Sequence, residues 1–145
     1  MMFTMYSWDP GKSTGWCYFE DSRLHSFGTV QLDDLGPMLD GISASAVFVV
    51  ESYFVRPKSA GGFDHNWSSP VTLEAIGAIK ARARLIGAEV VMQQAAIKPV
   101  GYGWAKMVYK KGQKNIHHRD ALAHGVYYLV KRKLIQPGGL QIAQT

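Results

Sequence analysis

Three acidic residues, far apart in the sequence, each lie at the end of a predicted regular element. Asp9 ends an apolar run that begins near Met5 and is followed at once by a Pro-Gly turn. Glu51 ends the apolar segment 47–50, and Asp120 lies near the start of a late amphipathic helix. A strand that stops on a carboxylate presents it at a sheet edge, where a divalent cation that prefers oxygen ligands can reach it. The pattern therefore predicts a divalent-metal site.

Phosphodiester hydrolysis is a reaction suited to such a site. It needs a water molecule made nucleophilic near neutral pH and a stabilised leaving oxyanion, and two Mg²⁺ ions about 4 Å apart can supply both. Because His117 and Asp120 are three residues apart, they lie on one face of the late helix. His124 lies one turn further along that face. We interpret it as a residue that supports the ligands or packs in the core, rather than as a ligand.

Each carboxylate taken alone also has an ordinary structural explanation. Asp9 precedes Pro-Gly and can serve only to form a turn. Glu51 can be the exposed end of a strand, and Asp120 is favoured by the helix dipole in a first turn. The prediction of a metal site therefore depends on the three residues together.

Length and composition indicate one globular domain. The chain has 145 residues, of which 47% are hydrophobic, and its single cysteine excludes a disulfide framework or a cysteine-based zinc site within one chain. Without a signal-peptide pattern or a membrane-length apolar run, we expect a soluble intracellular protein. We expect a single nuclease-like domain over residues 1–137 and a C-terminal tail over 138–145.

The charge is unevenly distributed. The net charge is +5, but residues 1–55 carry seven acids and two bases, whereas residues 56–145 carry four acids and fourteen bases. Such asymmetry is typical of a surface that binds a polyanion. A solvated surface that only adds solubility explains the composition equally well.

The predicted elements follow the order β-β-β-α-β-α-β-α. This order indicates an α/β domain with a mixed five-stranded sheet, whose first three strands form an antiparallel meander flanked by helices. Residues 55–69 form a long loop, and residues 98–114 have no clear period. The strands are predicted at 3–8, 16–19, 24–32, 46–50 and 89–93, and the helices at 33–39, 69–86 and 116–134.

The order of these elements and their motifs resembles the RuvC-type Holliday junction resolvases of the ribonuclease H-like nuclease superfamily. The resemblance covers roughly residues 4–130, and the short chain is similar to the versions that phages carry. It implies a protein of the cytoplasm of a bacterium or of a phage-infected host. It implies a ribonuclease H-like fold and a crossover junction endodeoxyribonuclease that makes paired symmetric nicks in DNA recombination and repair. The motifs that carry it are D-P-G-x-x-x-G at Asp9–Gly15, the strand into Glu51 with Phe54 three residues on, A-x-x-K at Ala95–Lys98 and H-x-x-D-A-L-A at His117–Ala123.

The resemblance implies a catalytic centre with two Mg²⁺ ions, or Mn²⁺, per site. Asp9, Glu51, His117 and Asp120 would be the metal ligands, and Lys98 would be the catalytic lysine. Many members have aspartate where this chain has His117. The site would then hold three carboxylates rather than four, which would weaken Mg²⁺ binding or favour Mn²⁺.

The resemblance also implies a homodimer that binds a four-way junction. A C2 dimer holds two active sites at a fixed separation on a nearly two-fold symmetric substrate. Phe54 corresponds to an aromatic residue that wedges into the junction centre. The predicted DNA-binding residues are Phe54, Arg56, Lys58, Lys98, Lys106, Lys110, Lys111 and Lys114.

Other functions fit parts of the pattern. A P-loop needs a glycine where this chain has Tyr6, so that motif fails. An actin-like ATPase shares the D-P-G-x-x-x-G loop but needs two lobes. Two alternatives stay open: a broader nuclease of the same fold that cuts forks, flaps or RNA–DNA hybrids, and a branched-DNA binding module without catalytic activity.

Overall fold

A computed structural model describes residues 2–53, 69–105 and 117–143, and its centre is a six-stranded mixed sheet. The strands are β1 (Thr4–Asp9), β2 (Ser13–Glu20), β3 (Arg23–Gln31), β4 (Val47–Glu51), β5 (Glu89–Gln93) and β6 (Gln141–Ile142). The helices are α1 (Leu32–Asp40), α2 (Ser69–Ile86), α3 (Lys98–Trp104) and α4 (His117–Lys131), and a 3₁₀ turn spans Ala95–Ile97.

The strand order in the sheet is β5-β4-β1-β2-β3-β6. Strands β1, β2 and β3 pair in antiparallel fashion, and β4 pairs in parallel with both β1 and β5. The predicted α/β class, the mixed sheet and the antiparallel meander are confirmed. The predicted count of five strands is wrong, because residues 141–142 of the expected tail pair in parallel with the start of β3.

The sheet separates two apolar layers. The continuous run 47–50 of β4 is buried throughout, as expected for a strand covered on both faces. On one face α4 packs against side chains of β1, β2 and β4; on the other, α1 and α2 pack against the alternate side chains. The first layer includes Met5, Phe19, Val49, Leu122 and Leu129, and the second includes Trp8, Phe48, Val50, Leu35 and Ile79.

Small residues let α4 lie unusually close to its neighbours. A methyl group added at Gly125 would lie 2.6 Å from the Phe19 ring, so only hydrogen fits there. The buried Ser7 hydroxyl of β1 donates a hydrogen bond to the Ala121 carbonyl at 2.6 Å. These contacts hold the first half of α4 against β1 and β2.

Helix α3 was not predicted from the sequence. It is only seven residues long, contains Gly101 and Gly103, and has a proline in its first turn. Its apolar residues therefore do not recur at helical spacing. Its position comes from packing on α4, where a methyl group at Gly101 would overlap the backbone carbonyl of Ala123. Tertiary contact therefore overrides weak helix propensity here.

Substitution of Gly101 by alanine should disrupt this packing. The added methyl group meets backbone atoms of α4 rather than a mobile side chain, so we expect a loss of about 1–3 kcal/mol in the free energy of unfolding. Gly103→Ala on the same helix is the matched control, because nothing lies within 4 Å of its added methyl group. Urea denaturation of both variants checks this, and equal stability of the two would contradict the proposed packing.

In the part of the chain that the structure describes, no helix has the length and apolar character needed to cross a membrane.

Candidate active site

The carboxyl ends of two neighbouring strands bring Asp9 and Glu51 together. Strands β1 and β4 are parallel, with Trp8 paired to Val50, so the next residue of each strand lies at the same sheet edge. The carboxyl groups of Asp9 and Glu51 lie within hydrogen-bond reach of each other. Asp120, in the first turn of α4, adds its negative charge to the surroundings of Asp9. The structure thus places the three predicted carboxylates at one edge of the sheet.

Lys98 lies among these carboxylates. Its ammonium nitrogen is 2.9 Å from Glu51 Oε1 and 3.6 Å from Asp120 Oδ2. Burial alone would lower the pKa of Lys98, but Glu51, Asp120 and Asp9 together raise it well above its ordinary value. Lys98 is therefore a permanent cation in this cluster. Because it begins α3, the helix that the sequence did not predict is the element that positions it.

The two strand-end carboxyl groups have opposite pKa shifts. Burial, the hydrogen bond to Glu51 and the charges of Glu51 and Asp120 raise the pKa of Asp9 to about 9, although Lys98 opposes this shift. Burial also acts to raise the pKa of Glu51, but hydrogen bonds with His124, Asp9 and Lys98 outweigh it and hold that pKa well below its usual range. In the absence of another cation, Asp9 carries the proton that the pair shares.

Tyr102 contacts Asp120 from the side, and Arg119 lies against the ring of Tyr102. The Tyr102 hydroxyl donates a hydrogen bond to Asp120 Oδ1, and the Arg119 guanidinium lies 4.8 Å from the centroid of the Tyr102 ring. Burial and the contact with Asp120 raise the pKa of Tyr102 well above its ordinary value, so the phenol remains a donor. Tyr102 was not identified as a site residue from the sequence. Its position one helical turn after Lys98 was the available signal for a place in this cluster.

His124 and Gln93 lie behind Glu51. His124 is fully buried, and its Nε2 atom is 3.4 Å from Glu51 Oε1. The Gln93 side-chain amide nitrogen lies 3.1 Å from His124 Nδ1 and donates a hydrogen bond to the His124 carbonyl at 3.0 Å. This position is compatible with both interpretations of His124 that the sequence left open, a residue that supports the ligands and one that packs in the core. Gln93 was not identified from the sequence.

The side chains present fit a divalent cation by their chemistry. Asp9, Glu51 and Asp120 offer hard oxygen donors, and the Asp120 side chain is 31% exposed. The buried His124 Nε2 atom has no hydrogen bond of normal geometry, and the buried Glu51 Oε1 atom faces it and the Lys98 ammonium. Among the described residues, however, no group of three or more His, Cys, Asp or Glu side chains is already arranged as a metal cage. The cation seen among these carboxylates is Lys98, and an open cavity of about 280 Å³ adjoins Glu51 and Lys98.

Several predicted site residues cannot be placed. His117 is the first residue of α4, but its side chain is outside the described part of the structure, so its role as a ligand stays a prediction. The other predicted DNA-binding residues lie outside the described ranges, namely Phe54, Arg56, Lys58, Lys106, Lys110, Lys111 and Lys114. The same holds for nearly all of the predicted 55–69 loop.

Comparison with solved structures identifies the fold. The chain aligns with Thermus thermophilus RuvC in complex with a Holliday junction substrate, with a TM-score of 0.66 and 14% sequence identity over 90% of this chain and 96% of that one. This chain has the RuvC fold. A second Thermus thermophilus RuvC structure aligns with a TM-score of 0.61 and 17% identity over the same shares of the two chains.

The likeness to RuvC lies in the structure rather than in overall sequence. No protein-family model matches the chain, and no curated protein matches it either. The predicted resemblance to the RuvC-type fold is therefore confirmed by three-dimensional comparison alone.

Proposed function

We propose that this chain is a metal-dependent endonuclease that resolves four-way DNA junctions by paired symmetric nicks. The observation that carries the proposal is the meeting of Asp9, Glu51 and Asp120 at a solvent-accessible edge of a sheet with the RuvC fold. Carboxylates that crowd one another raise the free energy of their ionised forms, and a divalent cation relieves that repulsion. A site used only for stability would not need three such groups around one lysine.

The proposed metal ligands are Asp9, Glu51, Asp120 and His117, and the proposed ions are two Mg²⁺, with Mn²⁺ as an alternative. When bound, the ions would supply an activated water and charge stabilisation at the phosphate. The hydrogen bond from Tyr102 occupies Asp120 Oδ1 and leaves Oδ2 facing the centre of the site. Lys98 supplies a positive charge there that can neutralise a phosphate oxygen of the substrate.

The substrate class follows from charge and likeness together. Fourteen of the sixteen Lys and Arg residues lie after residue 55, as expected for a surface that follows a phosphate backbone. One of the structurally similar proteins, Thermus thermophilus RuvC, was solved in complex with a Holliday junction substrate. We therefore assign phosphate contacts to Arg56, Lys58 and the lysines of the 106–114 segment, and the wedge position to Phe54. A homodimer would present two such sites to the two-fold symmetric junction.

Cleavage of a synthetic immobile four-way junction tests the proposal. With Mg²⁺ or Mn²⁺ we expect nicks at symmetric positions on two opposing strands, mapped on sequencing gels with each strand labelled in turn. Forks, flaps and RNA–DNA hybrids are the comparison substrates, and equal cutting of these would favour a broader nuclease. Junction binding without cleavage by either metal would favour a binding module and contradict the proposed activity.

Metal binding should release a proton from Asp9. Since the pKa of Asp9 is raised to about 9 in the metal-free protein, a metal ion must displace its proton at neutral pH. We therefore expect Mg²⁺ affinity to rise with pH between about 6 and 9, by up to about tenfold per pH unit. Calorimetric titration in buffers of different ionisation enthalpy measures the release, expected to be about one proton per protein. An affinity independent of pH over this range would contradict the shared proton.

A further inference from the structure

The imidazole of His124 is aimed at Glu51 from inside the core. His124 follows Asp120 by one turn of α4, its side chain is fully buried, and its Nε2 atom lies 3.4 Å from Glu51 Oε1. His124 Nε2 has no hydrogen bond of normal geometry, and Glu51 Oε1 also faces the Lys98 ammonium at 2.9 Å. A histidine that only fills space would leave its buried Nε2 atom unsatisfied, which is costly. A hydrogen bond between the two atoms would satisfy Nε2, and it requires that Nε2 carry a hydrogen to donate to the carboxylate oxygen.

Gln93 determines which imidazole nitrogen carries the hydrogen. Gln93 is the register partner of Glu51 on β5, so both side chains lie on the same face of the sheet. Its amide nitrogen donates to the His124 carbonyl, which requires the NH₂ group, and not the amide oxygen, at that position. The same NH₂ group lies 3.1 Å from Nδ1 of His124 and has a second hydrogen to donate. Nδ1 is then an acceptor, and the neutral imidazole has its hydrogen on Nε2.

We propose that His124 is a positioning residue that donates its Nε2 hydrogen to Glu51 Oε1, in a tautomer that Gln93 selects. The inference rests on the proposed function in that Glu51 is taken to be a metal ligand. The donor fixes one carboxylate oxygen and leaves the other for the cation, and it does so without adding a positive charge that would compete with the metal. The same tautomer excludes His124 as a ligand, since Nε2 has no free lone pair.

Nitrogen NMR of the histidine side chains tests the tautomer in the metal-free protein. We expect His124 Nδ1 to be of the unprotonated type and Nε2 of the protonated type, and we expect this assignment to persist when Mg²⁺ is added. The spectrum of His124→Gln, which lacks these signals, assigns them among the five histidines. An unprotonated Nε2 in either state, or a cationic ring, would overturn the proposal.

Metal affinity separates positioning from packing. His124→Phe keeps a ring but removes the donor, and we expect Mg²⁺ binding to weaken by about 10–100-fold. His124→Gln can place an amide NH₂ near the Nε2 position, so we expect it to retain affinity within about threefold of wild type. Calorimetry with Mg²⁺ alone provides the readout, and circular dichroism checks that both variants are folded. Wild-type affinity in His124→Phe, or equal losses in both folded variants, would overturn the proposal.

The two proposals fail in different ways. If the wild-type protein binds neither Mg²⁺ nor Mn²⁺, the nuclease proposal fails. The nitrogen spectrum of the metal-free protein then decides alone whether His124 donates to Glu51.

Discussion

Asp9→Asn will abolish junction cleavage while the protein still folds and binds the junction. Asp9 is hydrogen-bonded to Glu51 and near the charge of Asp120, and an amide at this position supplies neither the charge nor the second anionic oxygen that a shared cation needs. We expect the cleavage rate to fall by at least about 10³-fold, as when a central group of electrostatic stabilisation is removed. Single-turnover cleavage and gel-shift assays with the same junction measure the two effects.

The same substitution should stabilise the metal-free protein. The pKa of Asp9 is about 9 in the fold against an ordinary value of 3.8. The fold therefore favours the protonated form of Asp9. This contribution to the free energy of unfolding is fully present below about pH 4 and is lost as the pH rises towards 9. Asparagine has no such loss. At pH 8 we expect a gain on the order of 1–3 kcal/mol in the free energy of unfolding, after allowing for the opposing shift of Glu51.

Asp34→Asn is the matched control for both measurements. Asp34 is exposed in the first turn of α1, and its substitution removes the same charge away from the cluster. We expect cleavage within about twofold of wild type and a change in stability within about 0.5 kcal/mol. Cleavage that survives in Asp9→Asn, or a stability gain that is independent of pH, would contradict the assignment of Asp9.

Lys98→Met should separate metal binding from catalysis. The Lys98 ammonium is a cation that competes for Glu51 and Asp120, at 2.9 and 3.6 Å. Its removal should raise Mg²⁺ affinity by about tenfold, equivalent to ~1.4 kcal/mol. Cleavage should nevertheless fall by about 10²–10³-fold, because the substrate phosphate loses its positive partner. Calorimetry and single-turnover cleavage at saturating Mg²⁺ give the two values.

The control for Lys98→Met is Lys80→Met on α2, the helix that packs on the opposite face of the sheet from α4. We expect that variant to retain both metal affinity and cleavage. Weaker metal binding in Lys98→Met would show that the lysine supports the carboxylates rather than competes for them. Unchanged cleavage would remove Lys98 from the catalytic centre.

Much of the fold follows from local sequence patterns. In the meander strands, apolar and polar residues alternate as buried and exposed positions do in the structure, and the uninterrupted apolar run before Glu51 is buried throughout. Both patterns therefore predict the structure well. The sixth strand was missed because two exposed residues after a Gly-Gly turn have no strand pattern, and their pairing with Arg23 and Leu24 is a tertiary contact.

The candidate site was predictable only in part. Asp9 and Glu51 end strands with clear patterns, and parallel neighbouring strands bring their ends together. The contacts of Tyr102 with Asp120 and of Gln93 with His124 join residues 18 and 31 positions apart, and no local period in the sequence encodes such contacts. They depend on how closely α3 and β5 approach α4, which is set by packing at Gly101 and along the sheet.

Diffraction from crystals soaked in Mn²⁺, with the anomalous signal of the metal, tests the central claim most directly. We predict a peak beside Lys98, with carboxylate oxygens of Asp9, Glu51 and Asp120 at roughly 2–2.3 Å and the Lys98 ammonium displaced from Glu51. A map in which Mn²⁺ binds elsewhere while Lys98 keeps its contacts with Glu51 and Asp120, from protein that cleaves junctions in solution, would contradict it.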